Sequence, residues 1–315
     1  MSTAIYSHPD CQLHEMGAGH PECPARLQAI DDQLIASRIE AFVERRDAPL
    51  AGIGALARVH DAGAIAQVRD NLPLADGDYH LIDADTLLNG ASWNAALRAA
   101  GAAVAATDAV LAGEIDNAFC SVRPPGHHAR PSGAMGFCLF NNVAIAAAHA
   151  LDVHGLQRVA IVDFDVHHGN GTEEAFAGDQ RVLMVSFFQH PLYPYSAALE
   201  NAAGPRAGNM VNVPVPAYTR GDVVRELVLR DWLPALDAFA PQMVFISAGF
   251  DAHREDDMAQ MGLIESDYAW LTAQVMQVAQ RHAKGRVVSC LEGGYNLSAL
   301  GRSVATHVKV LAGLE

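Results

Sequence analysis

The stretch Val159-Ala160-Ile161-Val162-Asp163-Phe164-Asp165-Val166-His167-His168-Gly169-Asn170-Gly171 decides how the rest of the chain is read. Its opening residues are uninterrupted aliphatic, the pattern of a parallel strand buried on both faces, and the run stops at two carboxylates and two imidazoles. Asp165 and His167 stand two positions apart, so on an extended backbone their side chains leave the same face and can share one metal ion. In open α/β sheets, ligands gather beyond this end of the strands. A plainer reading has Asp163 and His168 cap the following helix and satisfy buried backbone. Four titratable residues in six positions are more than capping needs.

Working outward, short apolar runs ending in turn or polar residues recur at Thr3–Tyr6, Ala41–Glu44, Ala118–Val122, Val182–Phe187, Met210–Val213, Met243–Ala248 and Val287–Leu291. With Val159–Asp163 they make eight candidate strands. Amphipathic or Ala-rich stretches lie between them at Pro24–Arg38, Ser92–Ala112, Val143–Val153, Asp222–Phe239, Ser266–Lys284 and Leu297–Ala312. The alternation predicts an α/β fold: a single domain over residues 1–315 with a mostly parallel eight-stranded sheet and helices on both faces. Long non-periodic loops remain at Asp10–Cys23, Arg123–Phe140, Gln189–Asn209 and Asp251–Glu265. The last three each follow a strand and should meet at one rim.

Half of the 315 residues are hydrophobic, enough for a large core. The Ala-rich segment Ala99–Ala112 is short for a membrane span and contains Asp108, and Met1-Ser2-Thr3 leads into a strand without a basic leader, so a cytoplasmic location is expected. A formal charge of −15 argues against a nucleic-acid surface and serves solubility or the attraction of cationic substrates. The five cysteines, Cys11, Cys23, Cys120, Cys138 and Cys290, have no C-x-x-C spacing and read as reduced thiols.

Three further strand ends carry chemistry. Arg123-Pro124-Pro125-Gly126-His127-His128 presents adjacent imidazoles on a stiffened loop, a candidate base and acid pair. Gly136-Phe137-Cys138-Leu139-Phe140 offers an aromatic wall at Phe137, whereas Phe140 reads as core. Ser247-Ala248-Gly249-Phe250-Asp251 adds a third carboxylate, giving an Asp165, His167 and Asp251 set that suits a catalytic divalent ion with open positions. Leu291-Glu292-Gly293-Gly294-Tyr295 frees the backbone to bring a phenol to the rim, as packing or as an oxyanion donor.

These motifs, joined by Gly19-His20-Pro21-Glu22-Cys23-Pro24-Ala25-Arg26-Leu27 and Pro191-Leu192-Tyr193-Pro194, run nearly end to end. In that order the sequence resembles the histone deacetylase superfamily on the arginase-deacetylase fold, closest to class II deacetylases and their bacterial homologues. The resemblance implies Zn²⁺ on Asp165, His167 and Asp251, with Fe²⁺ left open. It implies proton transfer by His127 and His128, with Asp163 supporting His127 and Asn170 standing where class I enzymes carry a second aspartate. A neutral partner should lower the basicity of His128. Tyr295 becomes the electrophilic donor. A structural potassium ion is implied at Asp163, Asp165, His167, Ser186 and Phe187. Gly136, Phe137, Tyr193, Met258 and Gly293 are expected to contact substrate, with Met258 at the pocket mouth.

The expected reaction is hydrolysis of an acyl-lysine side chain or a similar acylated amine, and a small-molecule deacetylase acting on acetylpolyamines is the alternative. An arginase-like dinuclear site is disfavoured, because His168-Gly169-Asn170 lacks a further aspartate. A silent acetyl-amine binding module is disfavoured because no proposed position is lost. The short Asp10–Cys23 loop argues against a dimer-built tunnel, and the oligomeric state stays open.

Overall fold

In a computed structural model, which describes residues 1–195 and 208–314, eight parallel strands form one sheet. They are β1 (Thr3–Ser7), β2 (Glu44–Asp47), β5 (Asn117–Cys120), β6 (Val159–Asp163), β7 (Val182–Gln189), β8 (Met210–Val215), β9 (Met243–Ala248) and β10 (Val287–Leu291). A separate antiparallel hairpin supplies β3 (His80–Asp83) and β4 (Thr86–Leu88). The order across the sheet is β2-β1-β5-β10-β9-β6-β7-β8. Every residue of β5, β6, β7, β9 and β10 is buried, which is why these strands read as near-continuous apolar runs.

The edge strand departs from expectation. Ala41–Glu44 does not form it: Ile39–Phe42 is a 3₁₀ turn entered through Arg38 at φ 60, and the strand is the charged Glu44–Asp47. β2 pairs only with β1, so it has no buried apolar face to betray it, and charge on such an edge discourages further pairing.

The helices are α1 (Asp10–Leu13), α2 (Ala25–Ala36), α3 (Ile53–Leu56), α4 (Ala62–Asp70), α5 (Ser92–Ala112), α6 (Asn142–Asp152), α7 (Asn170–Phe176), α8 (Gly221–Leu227), α9 (Leu233–Phe239), α10 (Glu265–His282) and α11 (Leu297–Leu311). α5 and α6 pack together against β5, β6, β9 and β10, while α2, α11, α10 and α9 form a second packed group. By length and composition α5 could cross a membrane, contrary to the reading of its Ala-rich part as too short, but 67% of its apolar window is buried in the protein, as befits a core helix. The expected Asp222–Phe239 helix is interrupted by a π turn at Val228–Trp232. Pro234 follows at once and cannot donate to the preceding turn, so the ladder widens there.

The expected loop at Asp10–Cys23 begins with α1, and α3, α4 and the β3–β4 hairpin were not legible in sequence. They rest on a second apolar cluster that includes Leu56, Ile65, Val68, Leu88, Leu97, Leu139 and Phe140. Phe140 is core, as expected. Within the expected Gln189–Asn209 loop, positions 196–207 lie outside the described residues.

Candidate active site

The four central strands, β5, β10, β9 and β6, end side by side, and their following segments carry the titratable residues. His167 Nδ1 lies 3.1 Å from Asp165 Oδ1 and 3.2 Å from Asp251 Oδ2. One ligand atom from each of the three residues falls within 4.8 Å of the others, and all three residues are buried. Backbone donors fix the carboxylates: the Gly293 N–H donates to Asp165 Oδ2 (2.8 Å) and the Val166 N–H to Asp251 Oδ1 (3.0 Å). Among the described residues, Asp251 Oδ2 is buried without a hydrogen-bond partner. Burial, and then the Asp165 charge, push the Asp251 carboxyl above the usual range. Two buried carboxylates beside one imidazole are costly unless a cation joins them, so this mixed O/N set fits a divalent ion.

Gly293 is indispensable to that approach. A Cβ there would lie 1.9 Å from Asp251 Oδ2 and 2.7 Å from Asp165 Oδ2.

The histidine pair is gathered as expected. His127 Nδ1 is 3.0 Å from Asp163 Oδ2, His128 Nδ1 is 2.7 Å from Asn170 Oδ1, and the ring centroids are 4.1 Å apart. An oxygen acceptor at each Nδ1 assigns the proton there and leaves Nε2 for chemistry. Burial pushes His127 down, but Asp165 and Asp163 outweigh it and hold the imidazole well above its ordinary value. His128 is driven well below its own, first by burial and then by His127 and His167. The low value comes from burial and the two neighbouring histidines and not from Asn170, whose hydrogen bond works in the opposite direction.

A cleft of about 170 Å³ opens above these rings. Gly136, Phe137, Tyr193, Met258 and Tyr295 line it together with His128 and His167. Gly136 (φ 57) and Phe137 (φ 67) form the tip of a tight turn closed by hydrogen bonds between Met135 and Cys138. A phenylalanine in the left-handed region is held against its preference, a form of strain that clusters at functional sites. Tyr193 stands edge-on to His128 at 5.2 Å between centroids, and its hydroxyl is buried without a hydrogen-bond partner among the described residues. Ser186, expected at a potassium site, pairs with Asp163 across β6 and β7. Its carbonyl accepts from the Trp232 indole N–H (3.2 Å), and Phe187 stacks on that indole.

Several supporting residues were missed. Glu292 Oε2 accepts from the Gly126 and His127 N–H groups (2.7 and 3.1 Å) and Oε1 from Ser247 Oγ (3.0 Å), locking the histidine loop to β10. Burial raises its carboxyl to about 7. Asp256 Oδ2 accepts from the backbone of Tyr295 (2.6 Å) and Asn296 (2.9 Å). The Arg26 guanidinium lies 4.9 Å over the Tyr295 ring and donates to the Gly294 carbonyl (2.7 Å) and that of Glu292. Arg26 is in turn paired with Glu22, which also binds Arg123 through Nε (2.5 Å) and Nη2 (2.6 Å). The Gly19–Leu27 motif signalled these residues without disclosing a role. Asp85, on the β3–β4 turn, lines the cleft and gave no signal at all.

A family model described as the histone deacetylase domain matches residues 20–311. The chain is 40% identical over 281 residues to a histone deacetylase-like amidohydrolase of Pseudomonas aeruginosa, covering 89% of this chain and 73% of that protein. It is 37% identical over 328 residues to the polyamine deacetylase HDAC10 of Homo sapiens, covering 99% of this chain and 48% of that protein. The solved HDA15 HD domain superposes with a TM-score of 0.91 at 34% identity, covering 99% of this chain and 88% of that one. Matched across most of its length in sequence and in fold, the chain belongs to the histone deacetylase family and is a deacetylase hydrolase.

Proposed function

We propose that the protein is a zinc-dependent deacylase of acylated primary amines of the acyl-lysine kind, releasing a carboxylate and the free amine. The lining of the cleft carries this reading: Phe137 and Tyr193, with the uncharged Met258, border the approach to His128 and His167. Such walls suit a methylene stem, each buried CH₂ contributing about 0.8 kcal/mol.

Asp165, His167 and Asp251 would hold the ion. When bound, it supplies a water of lowered pKa, toward ~7, and a polarised carbonyl. His128, kept unprotonated by burial and by its histidine neighbours, accepts the proton of the attacking water and returns it to the leaving amine. His127, bonded through Nδ1 to Asp163, stands beside the reacting centre as the second proton-transfer group. Asn170 orients His128, and the Tyr295 hydroxyl donates a hydrogen bond to the developing oxyanion. Asp85, which lines the same cleft, would accept from a substrate N–H. A potassium ion at Asp163, Asp165, His167, Ser186 and Phe187 belongs to the same proposal; exchanging K⁺ for tetramethylammonium should then lower Tm.

Acetylpolyamine hydrolysis is the second reading, favoured by the likeness to HDAC10 and by a carboxylate at the cleft. A kcat/KM panel of acetyl-lysine peptides, longer acyl-lysines and N-acetylated polyamines separates the two. Wild type should show no strong polyamine preference, and Met258→Glu should move the ratio toward the polyamine. A strong wild-type preference that survives high salt, where exposed charges are screened, would overturn the acyl-lysine reading and point to Asp85 as the cation's partner.

A further inference from the structure

Far from the cleft, α5 ends in a turn that enters β5 and α6 ends in the connection that enters β6, so both C-termini lie at the opposite rim of the sheet. Asp108 in the last turns of α5, His149 in the last turn of α6 and His154 in the α6–β6 connection meet there. His149 Nε2 and His154 Nε2 each lie 2.6 Å from the same oxygen, Asp108 Oδ1. The two rings are 5.2 Å apart at 74°, so they reach that point from crossed directions. The side chains of Asp108 and His154 are 51% and 30% exposed, whereas that of His149 is 10% exposed. His149 Nδ1 is buried without a partner among the described residues, so Nε2 carries the ring's polar contacts.

The geometry points to a second divalent-ion site at Asp108, His149 and His154, of the zinc class, with water completing the coordination. Two imidazoles and one carboxylate are donors that Zn²⁺ accepts, and three segments contributing one ligand atom each, all within 4.8 Å, leave a solvent-facing side open. A simple hydrogen-bonded cluster is the competing account, since one carboxylate oxygen can accept from two imidazole N–H groups. The accounts differ in what free zinc does. An ion here would clip α5 to the α6–β6 connection without touching the catalytic residues, and its exposure makes it exchange faster than one at Asp165, His167 and Asp251.

The test is equilibrium dialysis of the full chain against Zn²⁺, with bound zinc counted per chain. Wild type should hold two ions; Asp108→Asn and His154→Ala should each hold one, with kcat/KM unchanged. Asp251→Ala should also hold one, now without activity, which separates failure at the catalytic cluster from failure here. Added zinc should raise Tm in Asp251→Ala but not in the Asp108→Asn, Asp251→Ala double variant. A wild type holding a single ion, or Asp108→Asn and His154→Ala variants that retain the second, would overturn the assignment.

Discussion

Replacing Gly293 by alanine tests how the two buried carboxylates come to share one point. The added methyl would start 1.9 Å from Asp251 Oδ2, and ordinary contact begins at 3.4 Å, so the carboxylate or the β10 backbone must retreat by about 1.5 Å. Neither partner is free to swing, because Asp251 Oδ1 is held by the Val166 N–H and the Gly293 N–H is itself bonded to Asp165. A misplacement of about 1 Å at a reacting centre costs on the order of a hundredfold, or about 2.7 kcal/mol of barrier. Overpacking of this kind destabilises the fold by roughly 1–3 kcal/mol, which a large sheet protein survives. Gly293→Ala should therefore stay folded by circular dichroism, lose stoichiometric metal on gel filtration, and drop at least about a hundredfold in kcat/KM on an acetyl-lysine peptide. Gly52→Ala, where a Cβ meets nothing within 4 Å, is the silent control. A Gly293→Ala enzyme with full metal and near-normal turnover would refute the idea that this glycine makes room for the ligand pair.

Asp251→Ala, or treatment with a chelator, should remove metal and activity together; normal turnover in either case would take Asp251 out of the ligand set. Tyr295→Phe should fold and keep its metal while kcat falls about a hundredfold with little change in KM, the signature of a lost oxyanion donor, and an unchanged kcat would exclude the phenol from the mechanism. Acid should destabilise the fold through histidines outside the cleft. Burial pushes His14 to about 3, His60 to about 4 and His307 to about 3. The unfolded chain protonates all three below about 6.5, so their contribution is complete above that pH and is lost toward pH 3–4, at up to about 1.4 kcal/mol per pH unit each. The urea midpoint should fall between pH 7 and pH 5, and a flat profile would count against neutral burial.

The sheet interior was readable because strands covered on both faces carry little but aliphatic residues, as in Val159–Asp163 and Val287–Leu291. β2 was misplaced because a charged edge strand has no such pattern, and the β3–β4 hairpin was invisible because distant contacts, not local propensity, hold it. That is why Asp85 escaped notice. Asp165, His167, Asp251, His127 and His128 were legible because titratable residues directly follow strands, and the structure brings them together. Glu292, Asp256 and Arg26 act through backbone groups of other segments, and sequence holds no record of which backbone a side chain will meet.

β10 follows every other strand of the sheet along the chain yet lies between β5 and β9. While the polypeptide is being synthesised, β2-β1-β5 and β9-β6-β7-β8 can form as two blocks, each ending in a bare apolar edge with nothing to pair with. Such edges recruit other chains, so a polypeptide that lacks residues 287–291 presents two edges of the kind that aggregates. The strand that covers both edges also delivers Glu292, Gly293 and Tyr295. A nascent chain stopped before Val287 is thus both sticky and inert, and the insertion that removes its loose edges is the same event that switches its chemistry on.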